Sequence, residues 1–309
     1  MAELRETTSL LLLLFGGAAL LLFPAESTAA ARDALTLCLQ TVLPSLFPFF
    51  VLSSLLVQSP LSRAFRIALA GFMHPLFGVS GAGAGALILG LLGGYPVGAR
   101  TAAELYAHGE VGRDEAEQLL AFCNNSGPGF FLGVCGASVF ASARAGAYLY
   151  LIHVCSALMT GMLLRRRISP PSRCVDHTKA VPFDLIAAFP AAIQSSFAAV
   201  WSICGFVLFF MVLLRLMMLI PVLEGLPPLP RAALFGLVEM TNGVSTLPPT
   251  REGFIVCSAI MNWGGLSVQA QTRAMLTDTG LSARRCLTGK AVQTLLGLPL
   301  SILAAGQLF

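Results

Sequence analysis

The sequence predicts an all-α, polytopic integral membrane protein with about eight membrane segments, some of them discontinuous or re-entrant, in two related halves. Three observations support this fold class. Of the 309 residues, 56% are hydrophobic and only 11% are charged. Long apolar runs follow one another along the whole chain, and two of them are interrupted by asparagine and glycine. A chain of this composition has no room for a sizeable soluble domain.

The apolar runs are the candidate membrane segments. The first follows a start that contains Arg5 but also Glu3 and Glu6, so we expect a retained first helix and not a cleaved signal peptide. Several later runs are short, rich in glycine or interrupted by proline, which is typical of discontinuous helices. The runs lie at residues 9–23, 41–58, 78–94, 119–140, 143–164, 197–221, 229–248, 253–271 and 287–307.

A basic cluster divides the chain. Arg165, Arg166 and Arg167 end one apolar run, and the polar stretch 169–182 follows them. Positive charge is enriched in cytoplasmic loops, so we expect this loop on the cytoplasmic side. The order of parts on its two sides is similar, which suggests an internal repeat. We therefore predict a first membrane helix with a connector (1–40), a first repeat (41–167), a cytoplasmic linker (168–196) and a second repeat (197–309).

The first polar interruption is the run Asn124, Asn125, Ser126, Gly127, Pro128 and Gly129. Unwound backbone at membrane depth persists only where it is buried in protein or lines a cavity. Proline suits the first turn of a helix, and the free amides at a helix start attract carboxylates. We therefore predict a site for a small anion here, with a polar clamp between helices as the alternative.

The second interruption is centred on Asn262, Trp263 and the two glycines that follow. Ser267 and Gln269 add polar groups just beyond it. The side chain of Trp263 either stacks on a substrate ring or anchors the helix at the membrane interface, and the sequence leaves both roles open.

A polar stretch precedes each interruption. In the first half, Tyr95 and Pro96 are followed by Arg100, which either snorkels to the interface or faces an anionic substrate. Pro96 is expected to unwind its helix. Gly90, Gly94 and Gly98 recur every four residues, a spacing that favours close helix packing. In the second half, Glu239 is a carboxylate inside an apolar run and is therefore a functional candidate, either as a proton or cation site or as a counterion for Arg100. The other candidates in that stretch are Thr241, Asn242 and Ser245.

Catalytic and nucleic-acid-binding patterns are lacking in the sequence. It has no HExxH motif, no phosphate-binding loop, no nucleophile elbow and no histidine pair at ligand spacing. Basic residues form no stripe interleaved with aromatics. We therefore predict no enzyme, no cofactor, no metal site and no nucleic-acid partner, and the lipid bilayer is the expected environment. The sequence leaves homo-oligomer formation open.

Three segments resemble a known family. They are residues 42–50, the stretch from Ser80 to Ala99 with its Gly-Gly-Tyr-Pro-Val-Gly core, and residues 122–130. Together they look like the YlbJ-type sporulation integral membrane proteins, which carry the nucleoside-recognition or Gate domain. The resemblance is strongest over residues 40–165 and looser in the second half. It implies a multi-pass protein of the outer forespore membrane that passes dipicolinic acid towards the forespore.

The main hypothesis is a transporter of a small organic anion, most favourably dipicolinate, that works by alternating access around the paired breaks. Helix starts at Pro128 and Gly264, asparagine amides and Arg100 would neutralise its carboxylates, and Tyr95 or Trp263 would stack on its ring. One alternative is an ion-coupled carrier of nucleosides or other solutes, with Glu239 as the coupling site. The other is a non-transporting scaffold for spore maturation.

Overall fold

The computed structural model describes residue 10, residues 14–166 and residues 183–309. Every regular element within these ranges is a helix, so the predicted all-α class is confirmed. Arg167 and the predicted polar loop at 169–182 lie outside the described residues, as does most of the chain before residue 14.

The N-terminal part contains more helix than the apolar runs predict. Helix α1 covers 14–22, and α2 (Pro24–Leu37) continues through a π-helical turn (Cys38–Val42) into α3 (Leu43–Gln58). The stretch expected to be a connector after the first helix is therefore itself helical. Helix α4 (Pro60–Phe77) was also missed, because its arginines and histidine lower its average hydropathy.

Pro96 breaks the helix as predicted. Helix α5 (Gly83–Gly93) ends before Gly94, and α6 (Val97–Ala107) begins after Pro96, which follows a cis peptide bond. The four-residue glycine spacing serves close packing, also as predicted. A Cβ atom on Gly90 or on Gly98 would collide with the backbone carbonyl of Cys123, so the first break packs directly on this helix pair.

The first break separates two dissimilar helical pieces. The short amphipathic helix α7 (Arg113–Leu120) leads into it, and a helix with π-type hydrogen bonding (Phe130–Val139) follows it. Helix α8 (Ala143–Leu163) then starts at Ser142, whose side chain accepts a hydrogen bond from the amide of Ala145. The predicted run at 143–164 is confirmed almost to the residue.

The second half repeats the use of broken helices. Its first helix begins at Leu185, earlier than the predicted run at 197, because the side chain of Asp184 caps the start. Glu239 separates α11 from α12, and Gly264, in the left-handed region at φ 82°, separates α13 from α14. The elements are α9 (Leu185–Met217), α10 (Pro221–Glu224), α11 (Pro228–Val238), α12 (Met240–Ser245), α13 (Arg251–Trp263), α14 (Gly265–Leu276), a 3₁₀ turn (Thr277–Thr279) and α15 (Arg284–Leu308).

Within the described residues, four helices are long and apolar enough to cross a membrane. These are Pro24–Leu56, Ala143–Leu163, Leu185–Met217 and Arg284–Leu308. Helix α9 packs against α2 and α3, whereas α15 packs against both α8 and α13. The shorter, broken helices lie among these long ones, so both breaks are buried in protein and away from lipid.

Candidate functional site

The four polar stretches found in the sequence converge in space. A Cβ atom on Gly127 of the first break would lie 3.2 Å from the amide nitrogen of Gly94. One on Gly264 of the second break would lie 3.1 Å from the hydroxyl of Tyr95. One on Gly265 would lie 3.0 Å from the carbonyl oxygen of Val238, next to Glu239. At each of these three glycines, a larger residue would push the neighbouring backbone or tyrosine atoms away.

His153 joins the two breaks directly. It lies in α8, is 1% exposed, and accepts a hydrogen bond at Nε2 from the amide of Ser126, at 3.2 Å. On its other side, Nδ1 lies 2.8 Å from Oδ1 of Asn262. Because Nε2 accepts, Nδ1 must carry the proton and donate to Asn262, which defines a neutral tautomer.

Asn262 collects further donors from two neighbouring helices. Its Oδ1 accepts from the hydroxyl of Ser156 at 3.0 Å and from Nε2 of Gln293 at 3.3 Å. Gln293 Nε2 also lies 3.3 Å from Oδ1 of Asn125. The side chains of both breaks thus belong to one buried polar cluster, held by α8 and α15.

Lys290 is the charged member of the cluster. Its side chain is fully buried, with Nζ 2.8 Å from Gln293 Oε1 and 3.2 Å from Asn125 Oδ1. The ammonium also lies over the ring of Tyr95, 5.1 Å from its centroid. No ion pair with a carboxylate is formed by Lys290 anywhere in the described part of the chain. A buried cation is therefore held by neutral groups alone.

Asn124 extends the network to α14. Its Nδ2 donates to the hydroxyl of Thr272 at 2.8 Å, and Thr272 in turn donates to the carbonyl of Val268. Its Oδ1 accepts from the amide of Ala99, at 3.4 Å. The first break is consequently tied to α6, α8, α14 and α15.

A small cavity lies beside the cluster. Its lining includes Tyr95, Ser126, Gly127, Glu239 and Gln271, and its volume is about 20 Å³, enough for roughly one water molecule. The site is therefore closed in this conformation, and a substrate would need the lining helices to separate.

A larger cleft of about 670 Å³ lies next to the cavity, between α3, α6, α9 and α14. Phe50 and Gln271 line both spaces, so these two side chains separate the cleft from the cavity. Arg100 and Glu104 lie in the outer part of the cleft.

Glu239 borders the cavity but does not pair with Lys290. Its side chain is 3% exposed, and Oε2 accepts a 2.7 Å hydrogen bond from the amide of Asn242. Asn242 Nδ2 reaches the carbonyl of Val207 in α9, at 3.5 Å. Glu239 thus caps α12, and the free amides of that helix start stabilise its negative charge.

The remaining predicted site residues are divided between buried and peripheral positions. The Arg100 side chain is 68% exposed and forms an ion pair with Glu104 at 2.8 Å, outside the polar cluster. Trp263 donates its indole N–H to the carbonyl of Leu237. Thr241 and Ser267 are fully buried, whereas Ser245 and Gln269 are half-buried, and within the described part of the chain none of these four side chains forms a hydrogen bond with the cluster.

Sequence analysis missed four members of the cluster as site residues: His153, Ser156, Lys290 and Gln293. Each is a polar residue inside an otherwise apolar helix. The rule that selected Glu239, an ionisable group at membrane depth, applies equally to Lys290 and to His153. Gln293 carried no comparable signal, because an uncharged amide in a helix is unremarkable on its own.

No group of three or more His, Cys, Asp or Glu side chains suited to a metal ion occurs among the described residues. The described cysteines are free thiols, and all but Cys155 are buried. The polar cluster therefore offers amide oxygens, one imidazole and one ammonium, which are groups that bind ions and small polar solutes.

Fold and site together define a multi-pass, all-helical membrane protein built around broken helices. Residues 39–164 match the family model described as Gate, nucleoside recognition. The chain is also 28% identical to the sporulation integral membrane protein YlbJ of Bacillus subtilis (strain 168), over 87% of this chain and 75% of that protein. The resemblance to Gate-domain sporulation membrane proteins is therefore confirmed.

Solved structures of CNTnw variants are also similar to this chain. One in an intermediate state has 15% sequence identity and a TM-score of 0.46, covering 99% of this chain and 86% of that one. Another in an outward-facing state has 14% identity and a TM-score of 0.46, covering 98% and 84%.

Proposed function

We propose that this protein transports a small organic anion across a bacterial membrane, with dipicolinate as the favoured substrate during endospore formation. The observation that supports this most strongly is the fully buried ammonium of Lys290, which has no carboxylate partner among the described residues. An uncompensated positive charge at membrane depth is costly, and an anion bound nearby would offset that cost.

The groups near the cavity suit a flat dianion. Tyr95 lines the cavity and its ring contacts the ammonium of Lys290, so the positive charge lies near enough to attract an anion bound in the cavity. Backbone of Ser126 and Gly127 and the side chain of Gln271 provide polar lining. Phe50 and Phe130 provide apolar surface for a pyridine ring. One face of the Tyr95 ring is already covered by Lys290, so only its other face would stack on a substrate.

Transport would require the closed cavity to open towards one side and then the other. Both breaks are tied to the long helices α8 and α15 through His153 and Gln293, and the first break is also tied to α14 through Asn124, so these hydrogen bonds must be exchanged when the halves move. Phe50 and Gln271 stand between the cavity and the larger cleft, and their displacement would connect the two spaces. Gating around a fixed central site is the mechanism expected of broken-helix repeats. We propose that the repeats are residues 41–167 and 197–309.

A carrier of nucleosides or other solutes, driven by an ion, is the second candidate. Glu239 favours it, because this carboxylate borders the cavity and could bind a proton or a cation. The description of the matched model, nucleoside recognition, is consistent with it. A third possibility is a scaffold in which the polar cluster only holds helices together.

Uptake of labelled dipicolinate by vesicles containing the purified protein tests the proposal. We expect uptake above that of empty vesicles and no competition by uridine. Asn125→Ala and Asn262→Ala should each lower uptake per folded protein, because the first removes an oxygen that positions the ammonium of Lys290 and the second removes the contact of His153 with the second break.

Ser301→Ala is the matched control, because among the described residues this buried hydroxyl in α15 bonds only to the carbonyl of Leu298 in its own helix. Uptake equal to that of empty vesicles would overturn the anion proposal. Competition by uridine would favour the nucleoside carrier. A scaffold would give no uptake, and Asn125→Ala would only reduce the yield of folded protein.

A further inference from the structure

The buried ammonium of Lys290 is surrounded as a dissolved cation would be. Two amide oxygens, Asn125 Oδ1 and Gln293 Oε1, lie 3.2 and 2.8 Å from Nζ, and the face of Tyr95 covers a third side. Neutral oxygens and an aromatic face are ligands that suit monovalent cations, including ammonium ions. A salt bridge is usually how a buried lysine is stabilised, and this one has none among the described residues.

Both amide oxygens are fixed in direction by bonds that the ammonium does not make. Asn125 Nδ2 donates to the carbonyl of Phe122 at 2.7 Å, which leaves Oδ1 pointing to the lysine. Gln293 Nε2 donates to the carbonyl of His153 and to Asn262 Oδ1, both at 3.3 Å, which likewise directs Oε1 to Nζ. The oxygens would therefore keep their orientation without the lysine.

Lys290 reaches the site because the backbone of α15 lies close to the backbone that precedes the first break. A Cβ atom on Gly289 would collide with the carbonyl oxygen of Ala121, so α15 touches the chain just before the first break. Lys290 follows Gly289 directly, and its side chain extends from this contact to Asn125. Lysine at this position is thus held by a specific fit between α15 and the break.

We propose that Asn125, Gln293 and Tyr95 form a monovalent-cation site between the two breaks, and that the ammonium of Lys290 is its permanent occupant. The cation belongs to the chain, so no dissolved sodium or potassium ion is needed at this point to hold the breaks together. The inference rests on contacts within the protein and holds whether or not an anion is the substrate.

Removal of the lysine side chain should convert the occupied site into one that binds an added cation. Lys290→Ala deletes atoms equivalent to propylammonium, which is therefore the probe. We expect Lys290→Ala to lower the melting temperature of the purified protein, and propylammonium chloride to raise it again by about 3 °C or more in a saturable manner. Choline chloride at equal concentration controls for ionic strength and is too large for the space.

Two further variants separate a cation site from simple loss of packing. Lys290→Met fills the same space without a charge, so propylammonium should leave its melting temperature unchanged. Ser301→Ala and the wild type should be equally insensitive. If Lys290→Ala folds only when propylammonium is present during purification, that dependence supports the site.

An unchanged melting temperature of Lys290→Ala across the propylammonium titration overturns the inference. So does a failure to purify Lys290→Ala with propylammonium while Lys290→Met purifies normally. Both readouts are independent of uptake. A negative transport assay together with propylammonium rescue would therefore reject the anion proposal and keep the cation site. Dipicolinate uptake without propylammonium rescue would keep the anion proposal and reject the cation site.

Discussion

The imidazole of His153 and the amide of Asn262 form a 2.8 Å contact between α8 and the second break, while the same imidazole accepts from the amide of Ser126 in the first break. One side chain from a continuous helix therefore connects two interruptions that are far apart in sequence. Both partners are buried, so neither hydrogen bond can be replaced by solvent without opening the protein.

The first prediction is that His153 and Asn262 are energetically coupled. His153→Leu and Asn262→Ala should each destabilise the protein by about 1–3 kcal/mol, because each leaves buried partners unsatisfied. The double variant should lose less than the sum, with a coupling energy of about 1 kcal/mol or more. Denaturation in detergent measures all three. A pair made of Asn262→Ala and Ser301→Ala is the control and should be additive, and additivity for His153 would contradict the prediction.

The second prediction concerns glycine packing against the first break. Gly90→Ala places a methyl group on the carbonyl of Cys123, which is backbone and cannot move freely, so overpacking should cost about 1–3 kcal/mol. Gly205→Ala in α9 is the matched control, since no atom of the described residues lies within 4 Å of its added Cβ. The control should be neutral or slightly stabilising, because alanine favours helix over glycine. Equal melting temperatures of the two variants would contradict the packing account.

Sequence predicts the breaks better than it predicts what holds them. Pro96 and the Asn-Gly runs alter the local backbone, so their effect can be read without tertiary information. Lys290 and Gln293 lie in an unbroken helix, and their role depends on how α15 packs against α8 and α13. Arg100, for which sequence leaves two alternatives, likewise depends on the folded helix: its side chain is directed outward once α6 forms and pairs with Glu104 one turn along.

The third prediction separates the two candidate cations of the anion proposal. Lys290→Met should lower dipicolinate uptake by roughly tenfold or more at every ionic strength, because a buried charge is little screened. Arg100→Gln should have a smaller effect that disappears in about 0.5 M salt, since an exposed side chain is screened by mobile ions. Uptake measured at low and high salt for both variants tests this. A salt-resistant loss in Arg100→Gln would instead assign the anion to the cleft.

The fourth prediction uses Glu239 to distinguish an anion carrier from an ion-coupled carrier. Glu239→Gln keeps an oxygen that can accept from the amide of Asn242, so the cap of α12 and the fold should survive with a change in unfolding free energy of about 1 kcal/mol.

In an anion carrier the carboxylate at the cavity wall repels the substrate, so its neutralisation should leave maximal uptake intact and lower the half-saturating dipicolinate concentration. In an ion-coupled carrier the same change would abolish accumulation driven by a proton or sodium gradient while equilibrative exchange continued. Uptake with and without each gradient decides between them. Loss of gradient-driven accumulation in Glu239→Gln, with exchange retained, would make Glu239 the coupling site. It would contradict the view that the charge of Lys290 alone is sufficient for transport of the anion.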